Sequence, residues 1–467
     1  MKNGMLRKCT VVVAVTLGIT FAGSAVASSS WSGPLVLGTG SGTQMEFDAS
    51  GNGLAVWAQG TTLQAGRYDK ASNSWTVEQL PGTPSGGSDT SSSAVTGLSL
   101  SVAANGDAIV AWSSLGGSEY VSGYRVAKNS WDTTPTLLAS SSAVNVEVTA
   151  TAITSTGLAS LLGNHPAMAT VAWVQCAAQC VSYAALWNGV KWGLPTQMGT
   201  SFGGEELSVG LGNTNVANFT VGQGNMVVVL STPVTSSGAD PSVYINTYDA
   251  NNSGTWSASS PFWITNLTFG TYPQVAFDDS NNGIAVWLQN MDLMVRRYNA
   301  SSGWSTTPVI LDISAPGSPS LAVDPGTGNA VLAYTGINAT AGTYTVCVSR
   351  FNAATASWST PIVLGNQATL SSGGVWATNR VVAAIRGGNA VVGWLQNDSN
   401  NVATIFNVAS WNGTSWGAAE KLVPTTNTSE IYYPAVGIDT QGDVSALWLQ
   451  NDGNVYLNYY GPAVPTL

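Results

Sequence analysis

The chain has 467 residues and a formal net charge of −10, and only 8% of its residues are charged. Globular chains ordinarily carry about 25%. The acidic balance argues against nucleic acid and anionic membranes as partners. Recurring Trp, Val, Leu and Ile argue against disorder. The one histidine, His165, excludes a histidine-rich metal centre. As the only histidine, His165 reads as a loop residue without a catalytic role.

Met1–Lys8 carries Lys2, Arg7 and Lys8, Thr10–Ala22 is apolar, and Ala25-Val26-Ala27 is a small-residue cleavage pattern. Residues 1–27 are therefore expected to be a secretory signal peptide, with the protein secreted to the medium or the periplasm. Cys9 precedes the apolar core, which does not fit lipid attachment. No later stretch approaches the length of a membrane span. Residues 28–467 are expected to form one domain.

That domain repeats. The fullest copy is Gln274–Leu311, which reads as four short strands: Gln274–Phe277, Ile284–Leu288, Leu293–Tyr298 and Trp304–Leu311. Asp278–Gly283, Asn290–Asp292 and Asn299–Gly303 supply the turns. Three aromatic series mark the other copies. Trp57, Trp112, Trp173, Trp287, Trp394 and Trp448 end the second strand, with Leu230 and Tyr334 in the same place. Tyr68, Tyr124, Trp187, Tyr248, Tyr298, Phe351, Trp411 and Tyr459 or Tyr460 close the third. Trp31, Trp75, Trp131, Trp192, Trp256, Trp304, Trp358 and Trp416 open the fourth. Four strands at a mean spacing of about 56 residues are the signature of a propeller.

The two ends complement each other. Trp31–Leu37 is a fourth strand without the preceding three, and Ala435–Tyr460 gives three strands without a fourth. The expectation is an all-β, closed β-propeller of eight four-stranded blades, its ring closed by the N-terminal strand. Seven blades is the alternative if the irregular copy around Asn225–Trp256 does not form its own. Long connections are expected at Pro81–Ala94, Ser140–Asn164, Gly199–Asn218, Asn366–Arg380 and Pro424–Tyr433. In propellers these share one face with the second-to-third turns, and loops on a rigid scaffold are where binding residues sit.

On that face Tyr272, Trp376, Tyr432 and Tyr433 fall outside the repeat aromatics. An exposed ring there can stack on a sugar or anchor a protein contact. Glu205, Glu430 and Arg380 are the polar candidates nearby, and with Glu206 these glutamates are the only carboxylates suited to glycosidase chemistry. Cys176-Ala-Ala-Gln-Cys180 spans a second-to-third turn, and export makes a disulfide between them the expectation. Cys347 reads as a buried free thiol. Asp48–Gly53 and Asp278–Gly283 resemble the first half of a calcium loop, but lack its further carboxylates. Asp48 and Asp278 are thus weak calcium candidates and read better as hairpin turns, so no cofactor is expected.

The repeat resembles those of bacterial secreted β-propeller proteins, loosely of the sialidase-like superfamily, over essentially all of residues 28–467. The likeness implies a glycan-directed propeller. Sialidases carry Ser-x-Asp-x-Gly-x-x-Trp boxes, three arginines, a Tyr–Glu pair and an acid Asp; no such box stands here. Arg67, Arg296, Arg297 and Arg350 sit at repeat-equivalent places and read as blade structure, leaving Arg380 and Arg386 near a long connection. Trp187–Trp192 and Trp411–Trp416 resemble fucose-lectin motifs, but core packing is the better reading. The function favoured is a monomeric, non-catalytic binding or interaction protein for an extracellular glycan or protein. The alternatives are a glycan-active hydrolase or lyase and a structural surface protein.

Overall fold

The computed structural model describes residues 30–82, 95–114, 117–140, 143–150, 169–176, 180–187, 191–198, 203–211, 226–234, 243–249, 255–257, 260–261, 270–313, 317, 319–338, 342–369, 381–398, 402–423 and 428–467. The signal-peptide reading, His165, Trp376 and Arg380 lie outside them. Among the described residues there are eight antiparallel sheets of four or five strands. The first sheet runs Ser41–Phe47, Gly53–Gln59, Thr62–Asp69 and Ser74–Gln79, from innermost to outermost. The later sheets repeat this order, with innermost strands Val95–Val102, Ala143–Ala150, Gly203–Leu211, Gly270–Phe277, Ser320–Val323, Val381–Arg386 and Ile431–Ile438. Each innermost strand packs against the next, and Ile431–Ile438 packs back onto Ser41–Phe47. This is the ring of a β-propeller.

The aromatic series hold the sheets together. Trp57, Trp112, Trp173, Trp287, Trp394, Trp448 and Tyr334 are fully buried in the second strands. Trp112, Trp173 and Trp448 stack on Tyr120, Tyr183 and Tyr456 of the third strand at 5.6–5.9 Å. In every sheet the aromatic closing the third strand meets the one opening the fourth, with ring centroids 5.3–5.8 Å apart. Such a pair contributes about 0.5–1.5 kcal/mol beyond its buried area. In the last sheet Tyr460 takes this part: it pairs in register with Trp31, whereas Tyr459 turns toward Tyr68 of the first sheet.

Between sheets, arginines reach the neighbour's aromatic. Arg67 lies over Tyr124, Arg125 over Trp187, Arg297 over Phe351 and Arg350 over Trp411, at 3.9–5.4 Å. Arg67, Arg297 and Arg350 are thus blade structure. Arg296 instead donates to the Ser305 carbonyl at 2.7 Å within its own sheet.

The seam is fastened from both sides. Ser30–Trp31 and Leu35–Thr39 form the outermost strand of the last sheet, paired with Asn454–Gly461. From the other end, Thr466 bridges Ser74 of the first sheet and exchanges amide bonds with Asn73 and Trp75 at 3.0 and 2.8 Å. Lys70 of the first sheet adds ion pairs to Asp439 and Asp443 of the last.

Two expectations need correction. The fourth strand Trp304–Leu311 is broken into Gly303–Trp304 and Val309–Asp312, both on the third strand. Pro308 lies in the gap; it has no N–H to give a ladder and suits an interrupted edge. Pro34, Pro135, Pro195 and Pro361 fall in the corresponding gap of other sheets, and Pro261 in the short strand that follows it. The reading of Ser140–Asn164, Gly199–Asn218, Asn366–Arg380 and Pro424–Tyr433 as connections also fails in part, because Ala143–Ala150, Gly203–Leu211, the end of Ile362–Thr369 and the start of Ile431–Ile438 are strands. Innermost strands face an axial space on one side, so polar residues interrupt the apolar run by which the other strands are recognised.

Candidate functional site

The described part of the site lies where the innermost strand of the last sheet begins. Ile431–Ile438 is bulged: Tyr432 pairs with Leu449 and Ala435 with Leu447, so that Tyr433 and Pro434 stand opposite one residue, Trp448. Tyr433 adopts φ +47°, an uncommon conformation for a bulky side chain. The bulge turns its ring outward, to 53% exposure. Thr43 of the first sheet fixes this geometry by donating its hydroxyl to the Tyr433 carbonyl at 2.6 Å.

Glu430 and Tyr432 are two residues apart and share a face. The Tyr432 hydroxyl donates to Glu430 Oε2 at 2.5 Å. Because the carboxylate holds that proton, and burial adds to the effect, the phenol is pushed up to about 12. The Tyr432 ring leans on the core between the last and first sheets, which contains Trp57, Leu447 and Leu449. Its centroid lies 6.4 Å from that of Tyr433. The backbone carbonyl of Glu430 accepts the Asn451 amide at 2.9 Å. What results is an exposed aromatic ring beside a phenol and a carboxylate, which together offer acceptors for a hydroxyl-bearing ligand.

Tyr272 occupies the equivalent bulge in the fifth sheet, with φ +52° and Pro273 after it. Its ring is packed against the core holding Leu288, Leu293 and Tyr334. It covers the end of a strand, so the two tyrosine–proline steps share a backbone and differ in exposure. At Glu205 the backbone alone is described; it lies in the bulge between Gly204 and Glu206 of Gly203–Leu211, in a strand and not in a connection.

Asp48 and Asp278 lie at the opposite ends of the innermost strands. Asp48 Oδ1 accepts the amides of Ser50 and Asn52, both at 2.8 Å, and Asp278 Oδ1 those of Ser280 and Asn282 at 2.9 and 2.8 Å. Asn52 and Asn282 also donate their side-chain amides to these carboxylates. Asp439 repeats the pattern with Gln441 and Asp443. These carboxylates cap their own turns. Gly328 of the sixth sheet, at φ +69°, presses so closely on Asp278 that a Cβ would stand 2.6 Å from its carboxylate oxygen.

Cys176 and Cys180 pair directly across the hairpin in the backbone register. Facing residues of an antiparallel pair have Cα atoms about 4.5–5.5 Å apart, within the range a disulfide needs. Alkylation of residues 28–467 under denaturing, non-reducing conditions is expected to label Cys347 and leave Cys176 and Cys180 unlabelled. Three labelled thiols would rule the bridge out. Cys347 is fully buried, with its Sγ 3.7 Å from the Thr345 hydroxyl.

The sequence alone did not show that Glu430 and Tyr432 form a pair, although their i, i+2 spacing on one strand was a usable signal. Nor did it single out Thr43, or Glu119, a buried acid in the second sheet.

Fold and rim geometry define an all-β β-propeller. No family model matches the chain, and no curated protein matches it. Several solved structures are similar to it. The Dos1 propeller aligns over 92% of this chain and 94% of its own, at 8% identity and a TM-score of 0.51. The BP39L lectin from Burkholderia pseudomallei aligns over 91% and 99%, at 12% identity and a TM-score of 0.48. The polysaccharide lyase Uly1 aligns over 95% and 94%, at 9% identity and a TM-score of 0.44. The likeness is one of fold. No described helix is long and apolar enough to cross a membrane.

Proposed function

We propose that this is a secreted, monomeric propeller that binds an extracellular glycan through the rim bearing Tyr432 and Tyr433. Each of the eight sheets is read as one blade; seven is the count if the sheet from Gly203 to Pro261 is not an independent unit. The observation that carries the proposal is the Tyr433 ring, held outward by a strained bulge beside the Glu430–Tyr432 pair. Strain of this kind persists where the surroundings over-determine it, and it clusters at ligand-binding positions. The ring can stack on a sugar face while Glu430 accepts its hydroxyls. Trp376 and Arg380 are proposed to join the site from the stretch that leads into the seventh sheet, while Glu205 belongs to the fourth sheet, which among the described residues does not pack against the eighth. No metal is required, since Asp48 and Asp278 serve as turn caps.

A glycan array on the secreted protein tests this first. Tyr433→Ala and Trp376→Ala should each then weaken binding to the ligand found by about tenfold or more, while the melting temperature moves by no more than about 2 °C. Unchanged affinity in both variants would defeat the assignment.

A second reading rests on one contact. A phenol hydrogen-bonded to a carboxylate has a base within reach of its proton, the arrangement of an activated nucleophile or proton-transfer group. Tyr432 and Glu430 would then serve a glycan-active hydrolase or lyase. The described arginines do not gather around them: Arg67, Arg125, Arg297 and Arg350 lie over neighbouring aromatics, and Arg386 ends its strand at the opposite rim. Release of aryl groups from a glycoside panel, abolished by Tyr432→Phe, would establish this reading.

A further inference from the structure

One arginine reaches past a neighbouring sheet. Along Ser41–Phe47, Thr43, Met45 and Phe47 are buried, while Gln44 and Glu46 alternate with them and touch solvent on the axial side. Glu46 Oε2 accepts the amide of Val102, at the end of the second sheet's innermost strand, at 2.7 Å. From the other direction Arg386 Nη2 donates to the Phe47 carbonyl at 2.5 Å. Arg386 belongs to the seventh sheet, so it passes the eighth to reach the first.

Two local features make the crossing possible. Arg386 follows Ile385 as Asp48 follows Phe47, Asp278 follows Phe277 and Asp439 follows Ile438, so an arginine replaces the turn-capping aspartate. The turn it would have capped shrinks to Gly387-Gly388, at φ +58° and +84°. The eighth sheet presents Gly437 at this level, where a Cβ would stand 2.3 Å from the Phe47 ring.

We propose that Glu46 and Arg386 form a proton-sensitive tie that fastens the first sheet's innermost strand to those of the second and seventh. The same strand carries Thr43, which holds Tyr433, but the inference stands apart from the binding reading. The strands packed on Ser41–Phe47 are Gly53–Gln59, Val95–Val102, Ile431–Ile438 and Val444–Gln450, and none carries a charged side chain. Arg386 is therefore the charge that Glu46 faces. Arg386 in turn also faces Asp279, whose pKa is raised by burial and by the neighbouring Asp278 and Asp324. Water reaches Glu46, but protein walls it in: burial pushes its carboxyl up to about 7, with the Val102 amide and Arg386 pulling it down. The folded chain thus keeps a proton that the unfolded chain loses above about 4.5. Stability from this group is full below that value and is lost as pH rises through about 7.

The test compares melting temperature against pH for the full chain and for Glu46→Gln. The two profiles should diverge between pH 5 and 8, with a midpoint near 7. Arg386→Gln or Arg386→Met, whichever folds, should move that midpoint up by about half a unit or more, and Arg386→Lys should leave it in place. Parallel profiles, or a midpoint indifferent to the charge at 386, would overturn the tie. If only Arg386→Lys folds, the charge itself is needed and the tie stands. If none of the three folds, Arg386 is a packing residue and the inference fails.

Discussion

Removal of residues 28–38 should lower the melting temperature by roughly 10 °C or more. The deleted strand supplies Leu37, 8% exposed in the core between the last and first sheets, and Trp31, which lies 5.4 Å from Tyr460. Burial of each such side chain contributes about 1.5–3 kcal/mol. Ser32 adds an amide bond to the Tyr459 carbonyl at 2.7 Å, and its hydroxyl donates to Asn458 at 3.1 Å. Without the strand, Asn454–Gly461 becomes a bare edge. An unchanged melting curve, read by circular dichroism, would mean that the ring does not depend on this strand.

The second large effect concerns Glu119, which opens the third strand of the second sheet. It is fully buried, Ser113 donates to its Oε2 at 2.8 Å, and its Oε1 has no partner among the described residues. Burial pushes its pKa from 4.5 to about 8, against the pull of the Ser113 hydroxyl. The folded state therefore binds a proton that the unfolded state has lost over that window. Stability is full below pH 4.5 and declines as pH rises toward 8. Glu119→Gln keeps the shape and cannot ionise. It should be more stable than the parent at pH 8 by about 2–4 kcal/mol, and the two should converge near pH 5. A parent no more pH-sensitive than the variant in urea unfolding would show that Glu119 is solvated in the fold.

Much of the architecture was legible because it is written in large side chains. A tryptophan that fills the middle of a sheet has few substitutes, so Trp57, Trp112 and their equivalents mark the repeat even where identity between copies is low. The complementary ends were legible for the same reason, through Trp31. The innermost strands were harder. Glu205 and Tyr433 read as loop residues because an axial space tolerates polar and bulged backbone, and neither apolar alternation nor β-branched runs persist there. The candidate site was half visible: sequence singled out Tyr432, Tyr433 and Glu430, but their contact depends on pleat and bulge. Tyr272 illustrates the limit. It shares the Tyr-Pro step with Tyr433, and only the surrounding core decides that one ring is packed and the other free.

The broken outer strands bear on how many copies can share a crowded space. Each sheet ends in an edge that could recruit a neighbouring molecule, so the eight sheets among the described residues offer as many places to begin a chain of associations. Six of those edges carry a proline where a long ladder would otherwise form, at 34, 135, 195, 261, 308 and 361. The two without one are blunted differently. The first sheet keeps a continuous edge, Ser74–Gln79, and there Thr466 bridges Ser74. The seventh ends in the two-residue, fully charged Glu420–Lys421. The net charge of −10 gives the copies a common repulsion, which salt screens. Backbone chemistry at the periphery adds a safeguard that salt leaves intact, and replacing several of these prolines at once should show first as turbidity at high concentration and high salt, before any loss of fold.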